Sequence, residues 1–61
     1  MNQRTKDVIQ ERQIEAGKIF NNIEELADFI NKEFEGQIEV AVNMPHNSAT
    51  YDNLIVLKEF D

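Results

Sequence analysis

The sequence predicts a small α+β domain in which one acidic helix packs on a small antiparallel sheet. Three observations support this fold class: a helical apolar stripe over residues 22–35, alternation of apolar and polar residues over 37–43, and an apolar run at the start of 54–60. A chain of 61 residues is long enough for one domain and no more. We therefore treat residues 1–61 as a single domain.

The helix over residues 22–35 has the clearest pattern. Phe29 lies beside its apolar stripe, and Asn21 or Asn22 suits the N-cap position. Gly36 suits the position that follows the last helical turn. The face that we expect to contact the sheet consists of Ile23, Leu26, Ala27, Ile30 and Phe34.

Two segments after this helix have the patterns of strands. The alternation in 37–43 is typical of a strand with one buried face. The segment 54–60 begins with four consecutive apolar residues, so both of its faces need a cover. The helix can cover one face, and the N-terminal segment or a second copy of the chain must cover the other. Residues 44–53 contain Pro, His, Ser and Asn and predict a loop.

The N-terminal segment, residues 4–16, fits either a helix or a strand. Its Arg, Lys, Gln and Glu residues favour a helix, in which Thr5, Val8 and Ile9 share one face and Gly17 ends the element. As a strand, the segment places polar residues between the apolar ones of the same face. The helix is the better fit, and the strand remains open as an alternative.

The chain is strongly acidic. It has 12 Asp and Glu residues against 6 Lys and Arg residues, which gives a net charge of −6. This charge disfavours direct binding to nucleic acid and to anionic membranes. No apolar run approaches the length of a membrane span, and the N-terminus lacks the apolar core of a signal peptide. We therefore expect a cytoplasmic protein.

The composition argues against an enzyme and against a bound cofactor or metal. Cysteine is absent, and the one histidine, His46, lies near Ser48 and Thr50 without the other groups of a catalytic triad. A chain of this length rarely encloses a substrate pocket of roughly 300 Å³ or more. We expect a binding protein instead.

Because a domain this small is marginally stable without disulfides or metal, we also expect a homodimer that forms through the apolar strand.

The candidate functional residues are acids at helical spacing. Like charges four residues apart weaken a helix by about 0.2–0.5 kcal/mol per pair, so a chain that keeps them has a reason to use them. One interpretation is a solvated face that Lys18 and Lys32 partly neutralise from positions three and four residues away. The other is a binding surface. The candidate residues are Asp7, Glu11, Glu15, Glu24, Asp28 and Glu35.

A fixed array of carboxylates can imitate the phosphates of DNA. Such an array occupies the DNA-binding surface of a basic protein, and its charge accelerates the encounter. The leading hypothesis is therefore an acidic DNA-mimic inhibitor of a basic host DNA-binding protein. The alternatives are an antitoxin-like neutraliser of a basic toxin and a small structural or assembly subunit.

The chain also resembles the phage uracil-DNA glycosylase inhibitors, which are small acidic DNA mimics, over residues 7–58. The resemblance implies a phage-encoded inhibitor that acts in the host cytoplasm, with Glu11 at the position of a glutamate that lies in the enzyme's DNA groove. It also favours a strand at residues 8–14. Arg12 stands where the family has a small residue, and the family's last two strands have no counterpart. The matching segments are Val8-Ile9-Gln10-Glu11, the acidic helix from Glu24-Glu25, the strand 38–42, and Tyr51-Asp52 followed by 53–57.

Overall fold

The structure, a computed structural model, describes residues 1–43 and 49–60. His46 and Ser48 therefore lie outside the described residues. The two helices and the two-stranded antiparallel sheet confirm the predicted α+β class. In chain order the elements are α1 (Gln3–Ala16), α2 (Ile23–Glu33), β1 (Glu39–Val42), a short 3₁₀ helix (Tyr51–Asn53) and β2 (Leu54–Lys58).

α1 shows that the N-terminal segment is a helix. It begins after Asn2, whose side-chain oxygen accepts a hydrogen bond from the Thr5 amide at 2.8 Å. It ends at Gly17, where a φ of 63° brings the amide back to carbonyls of the last turn. Thr5 and Ile9 are its buried side chains. The strand alternative, including the strand that the resemblance favours at residues 8–14, is wrong, because both caps satisfy backbone groups that only a helix leaves open.

α2 begins one residue later and ends two residues earlier than predicted. Asn22 is its N-cap, and its side-chain oxygen accepts a hydrogen bond from the Glu25 amide at 2.9 Å. The chain leaves helical geometry at Phe34, which still lies in the core. Gly36 takes a φ of 82° in the turn that follows. Phe29 is only 9% exposed, so it widens the buried face of the helix.

Both strands are shorter than predicted, because the residues at their ends bond elsewhere. The amides of residues 37–38 donate to the Phe34 carbonyl and belong to the turn after α2. Residues 59–60 leave the sheet and bind the start of α1, where the side chain of Asn2 donates to the Glu59 carboxylate and to the Phe60 carbonyl. The C-terminal end of the described chain is thereby tied to its N-terminal helix.

The core lies between the two helices and one face of the sheet. It joins Ile9 of α1 to the apolar face of α2 and to Val40 and Leu54 of the strands. On the other face of β2, Ile55 and Leu57 are 45% and 59% exposed. Of the two predicted covers for this second face, the N-terminal segment does not lie on it, because α1 packs into the same core as α2. The other predicted cover, a second copy of the chain, stays a prediction. We call the exposed side of the sheet the bare sheet face.

Asn31 of α2 closes the outer edge of β1. Its side-chain amide donates to the Val40 carbonyl and accepts from the Val40 amide, both at 2.8 Å. Since these backbone groups point away from β2, Val40 and its partner Val56 form a non-hydrogen-bonded pair of the antiparallel ladder. A free strand edge is a template for pairing with another chain. At Val40 the side chain of Asn31 already bonds both backbone groups that another strand would need.

Candidate acidic interaction surface

The first predicted acidic row lies on the exposed side of α1. Asp7, Glu11 and Glu15 are all exposed and follow one another at intervals of one helical turn. Asp7 accepts a hydrogen bond from the side chain of Gln3 at 2.8 Å, and Glu15 accepts one from Arg12 at 3.1 Å. Within residues 1–43 and 49–60, Glu11 has neither a hydrogen bond nor an ion pair through its carboxylate.

The second predicted row lies on and just after α2, and Glu24, Asp28 and Glu35 are all exposed. Glu24 and Asp28 precede Asn31 by seven and three residues, so they lie on the flank of α2 that faces β1. α1 reaches α2 through Arg12, on the opposite flank. The structure therefore keeps the two acidic rows apart.

Arg12 connects the two helices at an exposed position. Its Nε donates to the Glu33 carboxylate at 2.9 Å, and a terminal nitrogen donates to Glu15 at 3.1 Å. The hydrogen bond with Glu33, and after it the one with Glu15, raises the pKa of the Arg12 guanidinium. Sequence analysis did not single out Glu33, because a contact across 21 residues leaves no mark in local spacing.

Two ion pairs that the spacing suggested do not form. Lys32 follows Asp28 by four residues and Lys18 follows Glu15 by three, but neither pair is among the ion pairs of the described chain. Glu15 binds Arg12 instead. Lys18 lies beyond the end of α1, where helical spacing no longer applies. Asp28 therefore lacks the neutralising partner that its sequence neighbours suggested.

A groove of about 400 Å³ lies between one side of α2 and the segment that joins the helices. Phe20 and Phe29 supply its aromatic lining, with ring centroids 5.1 Å apart. Ile19, which also lines it, is 90% exposed, and Ile14 at the end of α1 is 80% exposed. Sequence analysis missed this groove, because Ile19 lies in an irregular segment without a periodic pattern. The charged residues that line the groove are Lys18, Glu25, Asp28, Lys32 and Glu33.

Tyr51 and Phe60 are aromatic residues that contact other elements of the same chain. The Tyr51 hydroxyl donates to the side chain of Gln13 at 2.9 Å, and burial raises the pKa of Tyr51. Phe60 packs edge-on against Phe34, with centroids 6.3 Å apart, and the Arg4 guanidinium lies 5.4 Å from the Phe60 ring. These contacts connect α1 to the 3₁₀ helix and to Phe60, and Phe60 in turn to the residue that follows α2.

The described residues contain neither a cluster of metal ligands nor a helix that could span a membrane. Among residues 1–43 and 49–60, no three His, Asp or Glu side chains gather closely enough to hold a metal ion. Neither helix of this part of the chain has the length and apolar character needed to cross a bilayer.

Neither a family model, nor a curated protein, nor a solved structure matches the chain. The resemblance to the phage inhibitors therefore stays a prediction. The exposed acids on α1 and on and just after α2 are the observations that bear on function.

Proposed function

We propose that this chain is an acidic inhibitor, phage-encoded as the resemblance implies, that binds the DNA-binding surface of a basic host protein in the cytoplasm. One observation carries the proposal: most of the candidate acids are exposed and uncompensated. Five of the six have no ion pair within the described residues, and the exception is Glu15. The uncompensated acids are Asp7, Glu11, Glu24, Asp28 and Glu35.

The row on α1 has a spacing that a DNA-binding surface can use. Four helical residues advance about 6 Å, whereas successive phosphates of one DNA strand advance about 3.4 Å along the axis. Asp7, Glu11 and Glu15 therefore offer a carboxylate at roughly every second phosphate position. Because α1 is capped at Asn2 and at Gly17, the row is held on a regular helix before a partner arrives. Little ordering is then needed on binding.

Glu11→Lys tests the proposal because it separates binding from folding. The substituted side chain would lie one turn from both Asp7 and Glu15, so repulsion is replaced by attraction. The free energy of unfolding should rise by about 1–2 kcal/mol, because two repulsive pairs each become attractive. Binding to a basic partner should nevertheless weaken about tenfold, because the central charge of the row is reversed. Asp52→Lys is the matched control, since it makes the same charge change at an exposed acid outside both rows.

The binding probe is the set of host proteins that elutes from DNA-cellulose, passed over the immobilised chain. Retention should fall steeply between about 50 and 200 mM salt and should be abolished by excess duplex DNA. Glu11→Lys should lose retained proteins, and Asp52→Lys should keep them. Equal retention by the two variants, or retention that does not depend on salt, would contradict the proposal. Salt-sensitive retention that duplex DNA leaves unchanged would support the antitoxin-like alternative instead.

A second candidate function is a small structural or assembly subunit, and the bare sheet face favours it. Ile55 and Leu57 are exposed there without a cover. A partner bound at this face would remain bound to Glu11→Lys and would be lost when Leu57 is replaced by a charged residue. The two variants therefore separate this function from the acidic inhibitor.

A further inference from the structure

Ile19, the most exposed large apolar side chain of the described chain, lines the groove. Ile14 and Ile19 are 80% and 90% exposed, against 45% and 59% for Ile55 and Leu57. Single exposed apolar residues are common on soluble proteins and need no explanation. Here, however, an almost fully exposed isoleucine projects from the wall of a groove that is itself lined by Phe20. A protruding side chain and a cavity lie side by side on one surface.

We propose that the groove is a homodimer interface in which Ile19 of each chain inserts into the groove of a second copy. A two-fold axis brings the same patch of both chains together, so that every contact occurs twice. An interface of this kind requires a patch that carries both a projection and the cavity that receives it. Ile19 and the space beside Phe20 and Phe29 meet that requirement.

The charges around the groove select a second copy over a basic partner. Two copies with a net charge of −6 repel each other unless they meet where opposite charges can pair across the interface. Lys18 and Lys32 line this groove together with Glu25, Asp28 and Glu33. Because Glu33 is paired with Arg12, two lysines and two acids remain to pair with a second copy. Acids and bases at one rim can pair reciprocally across a two-fold axis. A partner surface of a single sign would place like charges against either the two lysines or the two acids.

This interface differs from the one that the sequence predicted, which was the apolar strand β2. The bare sheet face exposes less of each side chain, and none of its residues lines the groove. Asn31 also closes the β1 edge at Val40, which limits growth of the sheet on that side. Among the candidate acids of the proposed function, Asp28 lines the groove, whereas the row on α1 lies outside it. Glu11→Lys therefore tests the proposed function without changing this interface.

Sedimentation equilibrium on the full chain tests the interface. The wild type should dimerise, Ile19→Glu should weaken the dimer at least about a hundredfold, and Leu57→Glu should leave it unchanged. The control introduces the same side chain at the other exposed apolar site. A wild type that is still monomeric at about 1 mM, or dissociation caused by Leu57→Glu but not by Ile19→Glu, would overturn the proposal.

A charge exchange provides a second test that a folding defect cannot imitate. Lys32→Glu and Glu25→Lys each reverse one charge of the rim. In a homodimer the changed side chain then meets an unchanged side chain of the same sign, so each variant alone should dimerise poorly. Mixed in equal amounts, they should form a heterodimer at least about tenfold tighter than either homodimer. Circular dichroism of each variant checks folding, because Glu25 also accepts a hydrogen bond from the Asn21 amide. A mixture no tighter than the separate variants would refute the reciprocal contact.

Discussion

Replacing Asn31 with alanine removes the link between α2 and the edge of β1. Two hydrogen bonds of 2.8 Å are lost, each with a net contribution of about 0.5–1.5 kcal/mol. The amide and carbonyl of Val40 then lose their partners beside a side chain that is only 3% exposed. The higher helix propensity of alanine offsets up to about 0.7 kcal/mol of this loss in the free energy of unfolding. We therefore expect the free energy of unfolding to fall by about 2 kcal/mol, a large part of the total for a domain of this size.

Urea denaturation measures this loss, and hydrogen exchange locates it. The Val40 amide should lose protection in Asn31→Ala, while amides within α1 change only with global stability. Gln10→Ala is the matched control, since it removes an exposed amide side chain of α1 that lies outside the groove, and it should change stability by less than about 0.5 kcal/mol. A loss below about 0.5 kcal/mol in Asn31→Ala, with the Val40 amide still protected, would refute the argument.

Two further predictions concern buried polar groups. Thr5→Val should raise the free energy of unfolding by about 1 kcal/mol in thermal denaturation, because Oγ1 of Thr5 is buried and has no hydrogen-bond partner among the described residues; a loss of stability would show that the hydroxyl is bonded. Wild-type stability should fall as the pH rises above 10.0, the ordinary pKa of tyrosine, because burial raises the pKa of Tyr51 in the folded chain and the unfolded chain loses its proton first. Tyr51→Phe should show a smaller decline over the same range, and an equal decline would contradict the assignment.

The sequence predicts the helices well because each depends on information within one or two turns. Asn22, the apolar stripe of α2 and the glycine at position 17 are local signals, and each has the role that its pattern indicates. The ends of the strands were not predictable in the same way. Asn2 binds residues 59–60 across the whole length of the chain, and no local pattern encodes that contact.

In the candidate site, too, the features set by local sequence are predictable and those set by distant contacts are not. That Glu11 and Asp28 are exposed follows from periodicity, because a helix with one apolar face exposes the opposite one. Periodicity does not predict which basic residue pairs with which acid. A long side chain can reach acids on several different elements of the fold. Arg12 takes Glu33 from the other helix, and Lys32 leaves Asp28 without an ion pair. The groove depends on how the joining segment packs against α2, which periodicity does not describe.

The bare sheet face has a consequence for natural variation. On an isolated chain, Ile55 and Leu57 contribute little to the core, so threonine or lysine at either position would cost the fold little. Random drift would then replace both residues in a lineage that does not use this face. Apolar residues retained at 55 and 57 in related sequences would record selection for a contact at the sheet, whereas retention at 19 would record selection for one at the groove. Sequence variation at these exposed apolar positions would therefore indicate which surface of this protein forms an interface.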